Sequence, residues 1–215
     1  GMAQLLVSEL FVSIQGESSF AGCACAFVRL AGCPLACRWC DSLYAGQGGQ
    51  PLPLTEALAW AAAQGVELVE VTGGEPLAQP AALELISGLC GQGRTVLVET
   101  SGALDIAPVD PRARVIMDVK CPSSGMHQRL HRPNLEALKP RDEVKFVLAD
   151  RADYEYARQM MASHGLAGRC QVLLSTVHGQ LDPALAVQWM LADRLPARFQ
   201  LQLHKYIWPD RERGV

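Results

Sequence analysis

Short apolar runs rich in β-branched residues alternate along the chain with longer segments in which apolar residues recur every three or four positions. The runs at residues 26–32 (AFVRLAG), 66–74 (VELVEVTGG), 95–102 (TVLVETSG), 115–120 (VIMDVK), 144–150 (VKFVLAD), 171–175 (QVLLS) and 199–205 (FQLQLHK) predict strands. Residues 54–65, 80–93, 152–165 and 182–194 predict helices, and glycine ends three of the four. Alternation of this kind builds an α/β domain around a largely parallel sheet covered on at least one face. The expected architecture is a partial, incomplete parallel β/α barrel. The chain is short for a complete barrel, and two connections, the cysteine loop and residues 121–141, show no pattern for a covering helix.

The unusual polar residues gather at the ends of the predicted strands: residues 72–75, residues 99–102, Asp118 with Lys120, and His204 with Lys205. Exposure alone explains any one of these groups. Together they predict one shared site, because ligands of parallel α/β sheets bind where the carboxyl ends of the strands converge.

A chain of 215 residues with 49% hydrophobic composition suits one buried core, so residues 2–215 are expected to form a single domain, with Gly1 as a tag remnant. Nineteen basic residues against 22 acidic ones leave a formal charge of −3, which argues against direct contact with nucleic acid. No apolar run reaches membrane-spanning length and no secretory leader is evident, so the expectation is a soluble, cytoplasmic protein without membrane contact. In a reducing compartment, a cluster of cysteines points to metal or redox chemistry more than to disulfides.

Three of the eight cysteines cluster as Cys33, Cys37 and Cys40 in the segment AGCPLACRWCDS. A structural zinc site normally takes four ligands, and no downstream Cys or His pair recurs at zinc-ribbon spacing. Cys23 or Cys25 remains open as a fourth ligand, although both read better as small buried packing residues, as do Cys90, Cys121 and Cys170. A [4Fe-4S] cluster held by three thiolates leaves one iron free for a small molecule that carries an amine and a carboxylate.

The spacing Cys33, Cys37, Trp39, Cys40 resembles the cluster motif of the radical S-adenosylmethionine superfamily, and TGGEP at residues 72–76 resembles its glycine-rich element. The resemblance implies a barrel of the radical SAM type, in which S-adenosylmethionine chelates the fourth iron and is cleaved to a 5'-deoxyadenosyl radical. It assigns Trp39, Gly73, Gly74, Glu75, Ser101, Lys120 and Ser175 to the cosubstrate. An ordinary strand-to-helix turn is the competing reading of TGGEP.

The segments FVSIQGE at residues 11–17, FVRLAGCPLACRWCDS at 27–42 and LQLHKYIW at 201–208 are similar more narrowly to the 7-carboxy-7-deazaguanine synthase family. That likeness implies ring contraction of 6-carboxy-5,6,7,8-tetrahydropterin with loss of ammonia, on the pathway to queuosine and tRNA modification. It also implies magnesium, a low-potential reductant such as flavodoxin or ferredoxin, and a homodimer. Gln15, Gly16, Glu17, Arg29, Thr72 and His204 become substrate-binding residues, with His204 reaching in from the last strand. Ser42 becomes the magnesium ligand, where the family usually has threonine. Ser18 replaces a common glycine, and the tail PDRERGV extends beyond that of some relatives. A glycyl-radical-enzyme activase and a non-catalytic zinc or iron–sulfur module are the alternatives.

Overall fold

Residues with both faces covered must be apolar on both, and the parallel strands obey this except on one patch of one face. The computed structural model describes residues 3–32 and 48–215. In chain order the elements are β1 (Gln4–Ile14), β2 (Ala24–Leu30), β3 (Gln50–Pro53), α1 (Leu54–Ala63), β4 (Leu68–Gly73), α2 (Ala81–Gly91), β5 (Thr95–Thr100), β6 (Arg114–Asp118), α3 (Asn134–Ala137), β7 (Glu143–Leu148), α4 (Arg151–His164), β8 (Gln171–Thr176), α5 (Pro183–Asp193), β9 (Arg198–Phe199) and α6 (Leu203–Ile207). Among the described residues they form one nine-stranded sheet, ordered β3-β1-β2-β4-β5-β6-β7-β8-β9. β1 runs antiparallel to β2 and β3, and every other pairing is parallel. The sheet does not close, as a partial barrel requires.

Alternation along each strand divides the sheet into two faces. Val28, Val71, Val98, Val115, Phe146 and Leu174 belong to the main core beneath the helices, together with Leu85, Leu89, Tyr154 and Met161. The opposite, concave face begins as a small apolar floor of Cys25, Phe27, Leu68, Leu97 and Ile116, flanked by Phe11 and Phe20. Two residues further along the strands the same face carries Arg29, Glu70, Glu99 and Asp118.

The four predicted helices are present, as are the first six predicted strands. α4 starts where Asp150 caps the amide of Asp153 at 2.8 Å and stops at Gly165, whose φ of 59° is left-handed. Residues 121–141 hold only α3 and isolated turns, as expected, and residues 101–113 also lack a helix.

Three expectations are corrected. β1 and β3 were not foreseen: β1 is half-exposed along most of its length, which blurs its alternation, and β3 carries two prolines in four residues. The final predicted strand is only Arg198–Phe199, after which Gln200 and Gln202 turn their amides to the chain around Glu17. His204 therefore arrives from α6, not from a strand. Cys23 is exposed, whereas Cys25, Cys90, Cys121 and Cys170 are buried as packing residues. Burial pushes the Cys170 thiol up to about 11, so it is protonated at neutral pH, as suits a packing residue. No helix among the described residues is long and apolar enough to cross a membrane.

Candidate active site

The segment following β1 folds over the concave face and is held there by groups remote in sequence. Gln15 donates through Nε2 to Glu70 Oε1 at 3.0 Å, while its Oε1 accepts the amide of Glu17 at 3.0 Å. Glu17 Oε1 pairs with Lys145 Nζ at 3.0 Å and its Oε2 accepts from Gln202 Nε2 at 3.0 Å. Lys145 also pairs with Glu99 at 2.8 Å. A Cβ on Gly16 would lie 2.1 Å from Nδ1 of His204, so only glycine lets the loop approach that ring. The amide of Leu203 closes the contact by donating to the carbonyl of Gly16 at 3.1 Å. Four of the expected substrate residues, Gln15, Gly16, Glu17 and His204, thus meet at one place.

Burial first, and the neighbouring Glu99 second, push the carboxyl of Glu70 well above its ordinary value of 4.5. Glu99 moves the other way: burial alone would raise it, but Lys145 outweighs that and holds it ionised. Of this pair, Glu70 therefore carries the proton and Glu99 the charge. Burial lowers the imidazole of His204 against the pull of Glu17, so the ring is neutral at neutral pH.

Because the folded chain keeps a proton on Glu70 that the unfolded chain releases, this group's contribution to stability falls as pH rises above about 4.5 toward its raised folded value, by up to about 1.4 kcal/mol per pH unit. Glu70→Gln has no proton to release. Its stability relative to the wild type is expected to improve steadily between about pH 5 and pH 8 in urea midpoints. A difference independent of pH would mean that Glu70 is ionised in the fold.

Arg29 lies in register between Glu9 of β1 and Thr72 of β4. Its Nε binds Glu9 Oε1 at 2.9 Å, and its guanidinium stands 5.6 Å from the centroid of the Phe11 ring. Thr72 is buried beside it. The tail reaches the same place: Gly214 donates its amide to Glu9 Oε2 at 3.0 Å, and Arg213 donates to the carbonyl of Ser8 at 2.9 Å.

On the neighbouring strand ends, Gly73 has a φ of 147° and sits so close to β2 that a Cβ would lie 2.0 Å from the carbonyl oxygen of Leu30. Gly74 donates its amide to that same oxygen at 3.1 Å. The glycine pair therefore has a packing role whatever else it binds. Glu75 is saturated by donors: Thr100 Oγ1 at 2.6 Å, the amide and Oγ of Ser101 at 2.9 Å each, and the amide of Leu77 at 3.3 Å. Glu75 and Ser101 thus form one unit.

Lys120 binds Asp118 Oδ2 at 2.6 Å, while Asp118 Oδ1 is buried without a partner among the described residues, as is the hydroxyl of Ser175. Buried polar atoms of this kind are normally satisfied, so their presence at the carboxyl ends of β6 and β8 fits a polar ligand such as S-adenosylmethionine.

Cys33, Cys37, Trp39, Cys40, Asp41 and Ser42 lie outside the described residues. Among the described residues, no group of three His, Cys, Asp or Glu side chains is arranged to hold a metal ion. The approach to the cysteine segment is fixed by Gln79, whose Nε2 donates to the carbonyls of Leu6 and Ala31, each at 2.9 Å. Sequence reasoning missed Gln79, Glu70, Lys145, Glu9 and Gln202. For Glu70 and Lys145 the available signal was a charged residue inside an otherwise apolar strand, as in VELVEV and EVKFVL.

The family model described as Radical SAM superfamily matches residues 28–145. A protein named 7-carboxy-7-deazaguanine synthase from Chlorobaculum tepidum is 50% identical, with 99% of this chain and 98% of that protein aligned. A protein of the same name from Koribacter versatilis is 41% identical, over 97% and 99% of the two chains. Among solved structures, QueE from Escherichia coli superposes with a TM-score of 0.73 at 24% identity, covering 93% of this chain and 94% of that one. SuiB from Streptococcus suis, bound to the precursor peptide SuiA, gives a TM-score of 0.54 at 10% identity, over 76% of this chain and 45% of that one. These two structural matches bear on the fold alone.

Proposed function

The chain belongs to the radical SAM superfamily and, within it, to the 7-carboxy-7-deazaguanine synthases, and from that premise we propose that it contracts the ring of 6-carboxy-5,6,7,8-tetrahydropterin to 7-carboxy-7-deazaguanine with loss of ammonia. The observation that carries the substrate assignment is the meeting of Gln15, Glu17 and His204 on the concave face. Glu17 and Gln15 present carboxylate and amide oxygens along the pterin edge, whose amino and ring N–H groups require acceptors side by side. The neutral imidazole of His204 and the guanidinium of Arg29 take the substrate carboxylate, with Thr72 against the ring.

Cys33, Cys37 and Cys40 hold the cluster, and Trp39, Gly73, Gly74, Glu75, Ser101, Lys120 and Ser175 hold S-adenosylmethionine. When bound, these two groups supply the electron and the hydrogen-abstracting radical that the protein's own side chains lack. The chain positions and shields. Phe11 and Phe27 stack with centroids 4.8 Å apart and, with Phe20, floor the concave face. An apolar floor of this kind excludes water from the concave face. Ser42 provides an oxygen ligand for magnesium, whose other positions are filled by substrate and water. A flavodoxin or ferredoxin as electron donor, a homodimer, a single domain over residues 2–215 and a cytoplasmic location complete the reading. A charge of −3 gives no reason for direct tRNA contact.

The test is anaerobic reconstitution with iron and sulfide, followed by reduction in the presence of S-adenosylmethionine and 6-carboxytetrahydropterin, with and without magnesium, and product analysis by mass spectrometry. Formation of 7-carboxy-7-deazaguanine is expected, with faster turnover when magnesium is present. Deoxyadenosine without the deazapurine would overturn the substrate assignment. Tightly bound zinc and no cluster would overturn the enzyme.

A further inference from the structure

Lys145 makes a long connection across the sheet. It stands on β7, and the loop it holds follows β1, five places away in the sheet order. In a flat sheet those strands would lie about 24 Å apart, at about 4.8 Å per step. The 3.0 Å contact with Glu17 exists only because the sheet curls, and Lys145 shares the tie to the opposite wall with Glu143 of the same strand, which accepts from the amide and hydroxyl of Ser19 at 2.8 and 2.6 Å. Its side chain is 3% exposed and lies between the carboxylates of Glu17 and Glu99.

Stability alone does not account for such a group. Buried ion pairs are often no better than well-packed apolar side chains, and the layer directly below this one is apolar, with Leu68, Leu97 and Ile116. Charge replaces it only at the level of the loop that meets the pterin. The arrangement there is fully directional. Glu99 fixes Lys145 and Lys145 fixes Oε1 of Glu17. Glu70, next to Glu99, fixes the amide of Gln15, which in turn receives the Glu17 backbone amide.

We infer that Lys145, backed by Glu99 and Glu70, is a positioning residue that sets the orientation in which Gln15 and Glu17 meet the substrate. The inference rests on the proposed function. No member of the array touches the reacting carbon. It acts through Gln15 and Glu17, and each Glu17 oxygen keeps a lone pair for the ligand while the carboxylate is held from both ends, by Lys145 and Gln202. Glu99, Glu17 and Asp118 together keep Lys145 charged against the opposing effect of burial.

The test uses oxidised 6-carboxypterin, an unreactive fluorescent analogue, titrated into the reconstituted full chain with S-adenosylmethionine. Lys145→Met with Glu99→Gln removes one cation and one anion, so the net charge is unchanged and Glu17 keeps the amide of Gln202 as its partner. This double variant is expected to melt cooperatively and to bind the analogue ~10- to 100-fold more weakly, with KM for the tetrahydropterin rising by a similar factor and kcat changing less. Glu70→Leu against Glu70→Gln is the second comparison. Both variants are expected to melt cooperatively, the leucine variant at a lower denaturant midpoint because it leaves the Gln15 donor unpaired, and the leucine variant is expected to bind more weakly because only the amide can still anchor Gln15. A folded double variant, or a Glu70→Leu protein, that binds with wild-type affinity would overturn the positioning role. Failure of the wild type itself to bind 6-carboxypterin would instead overturn the substrate assignment and this inference with it.

Discussion

Alanine at Cys33, Cys37 or Cys40 is expected to leave a folded chain with no cluster, no cleavage of S-adenosylmethionine and no deazapurine. Three thiolates are the full protein ligand set for such a cluster, and losing one leaves two irons without a protein ligand. Folding should survive, because the approach to this segment is anchored independently: Gln79 grips the carbonyl of Ala31 on one side and both backbone groups of Leu6 on the other. Iron per chain, the visible absorbance of the reconstituted protein and deoxyadenosine formation are the measurements. Cys170→Ala is the control, since that thiol is buried away from any such role and its loss should leave iron content unchanged. A cluster that persists in all three alanine variants would mean that the ligands lie elsewhere.

Gly73→Ala is expected to lower stability by about 3 kcal/mol or more, the largest effect of any single methyl group in the site. Two causes add. A φ of 147° is a conformation that side-chain-bearing residues occupy only with strain of about 1–3 kcal/mol. The new methyl would also meet backbone rather than a movable side chain, at 2.0 Å from the Leu30 oxygen and 2.8 Å from its nitrogen. Relief requires β2 and β4 to part, which breaks the bond from the Gly74 amide to Leu30 and shifts the strand that leads to the cysteines. Denaturant midpoints should show the loss. Gly93→Ala provides the contrast: its φ of 78° is also left-handed, but nothing lies within 4 Å of the added methyl, so only about 1 kcal/mol is expected. Equal losses at the two positions would show that the Leu30 contact contributes nothing.

The parallel strands were legible because their burial on both faces leaves unbroken apolar runs, and the helices because their apolar stripes and terminal glycines are local features. β1 was not, since an antiparallel strand with one neighbour only four residues long has its residues half-covered and mixes Glu9 with Phe11 on one face. FQLQLH alternates throughout, yet the side-chain amides of Gln200 and Gln202 find partners around Glu17 and the ladder ends after two residues. In the site, Gln15, Glu17 and His204 could be named from motifs, but their support could not. Glu99 and Lys145 are 46 residues apart, and no local rule pairs them. A charged residue inside an apolar parallel strand was the readable trace, because burial without a partner is too costly to persist. For Glu75 and Gly73 the motif gave position while the structure gave immediate partners, which are the donors around the Glu75 carboxylate and the carbonyl of Leu30.

A barrel left open keeps two borders along which main-chain groups face outward, and such borders are templates for any extended chain that passes. Here each is blunted in its own way. On one side β3 offers four residues, and Pro51 and Pro53 have no N–H with which to continue a ladder. On the other, β9 lasts for two residues before Gln200 directs its amide side chain to the carbonyl of Ser18 and α6 begins. Among the described residues, the unfinished perimeter thus gives a foreign strand almost nothing to zip onto, so an open barrel need not carry a tendency to fibre-like association.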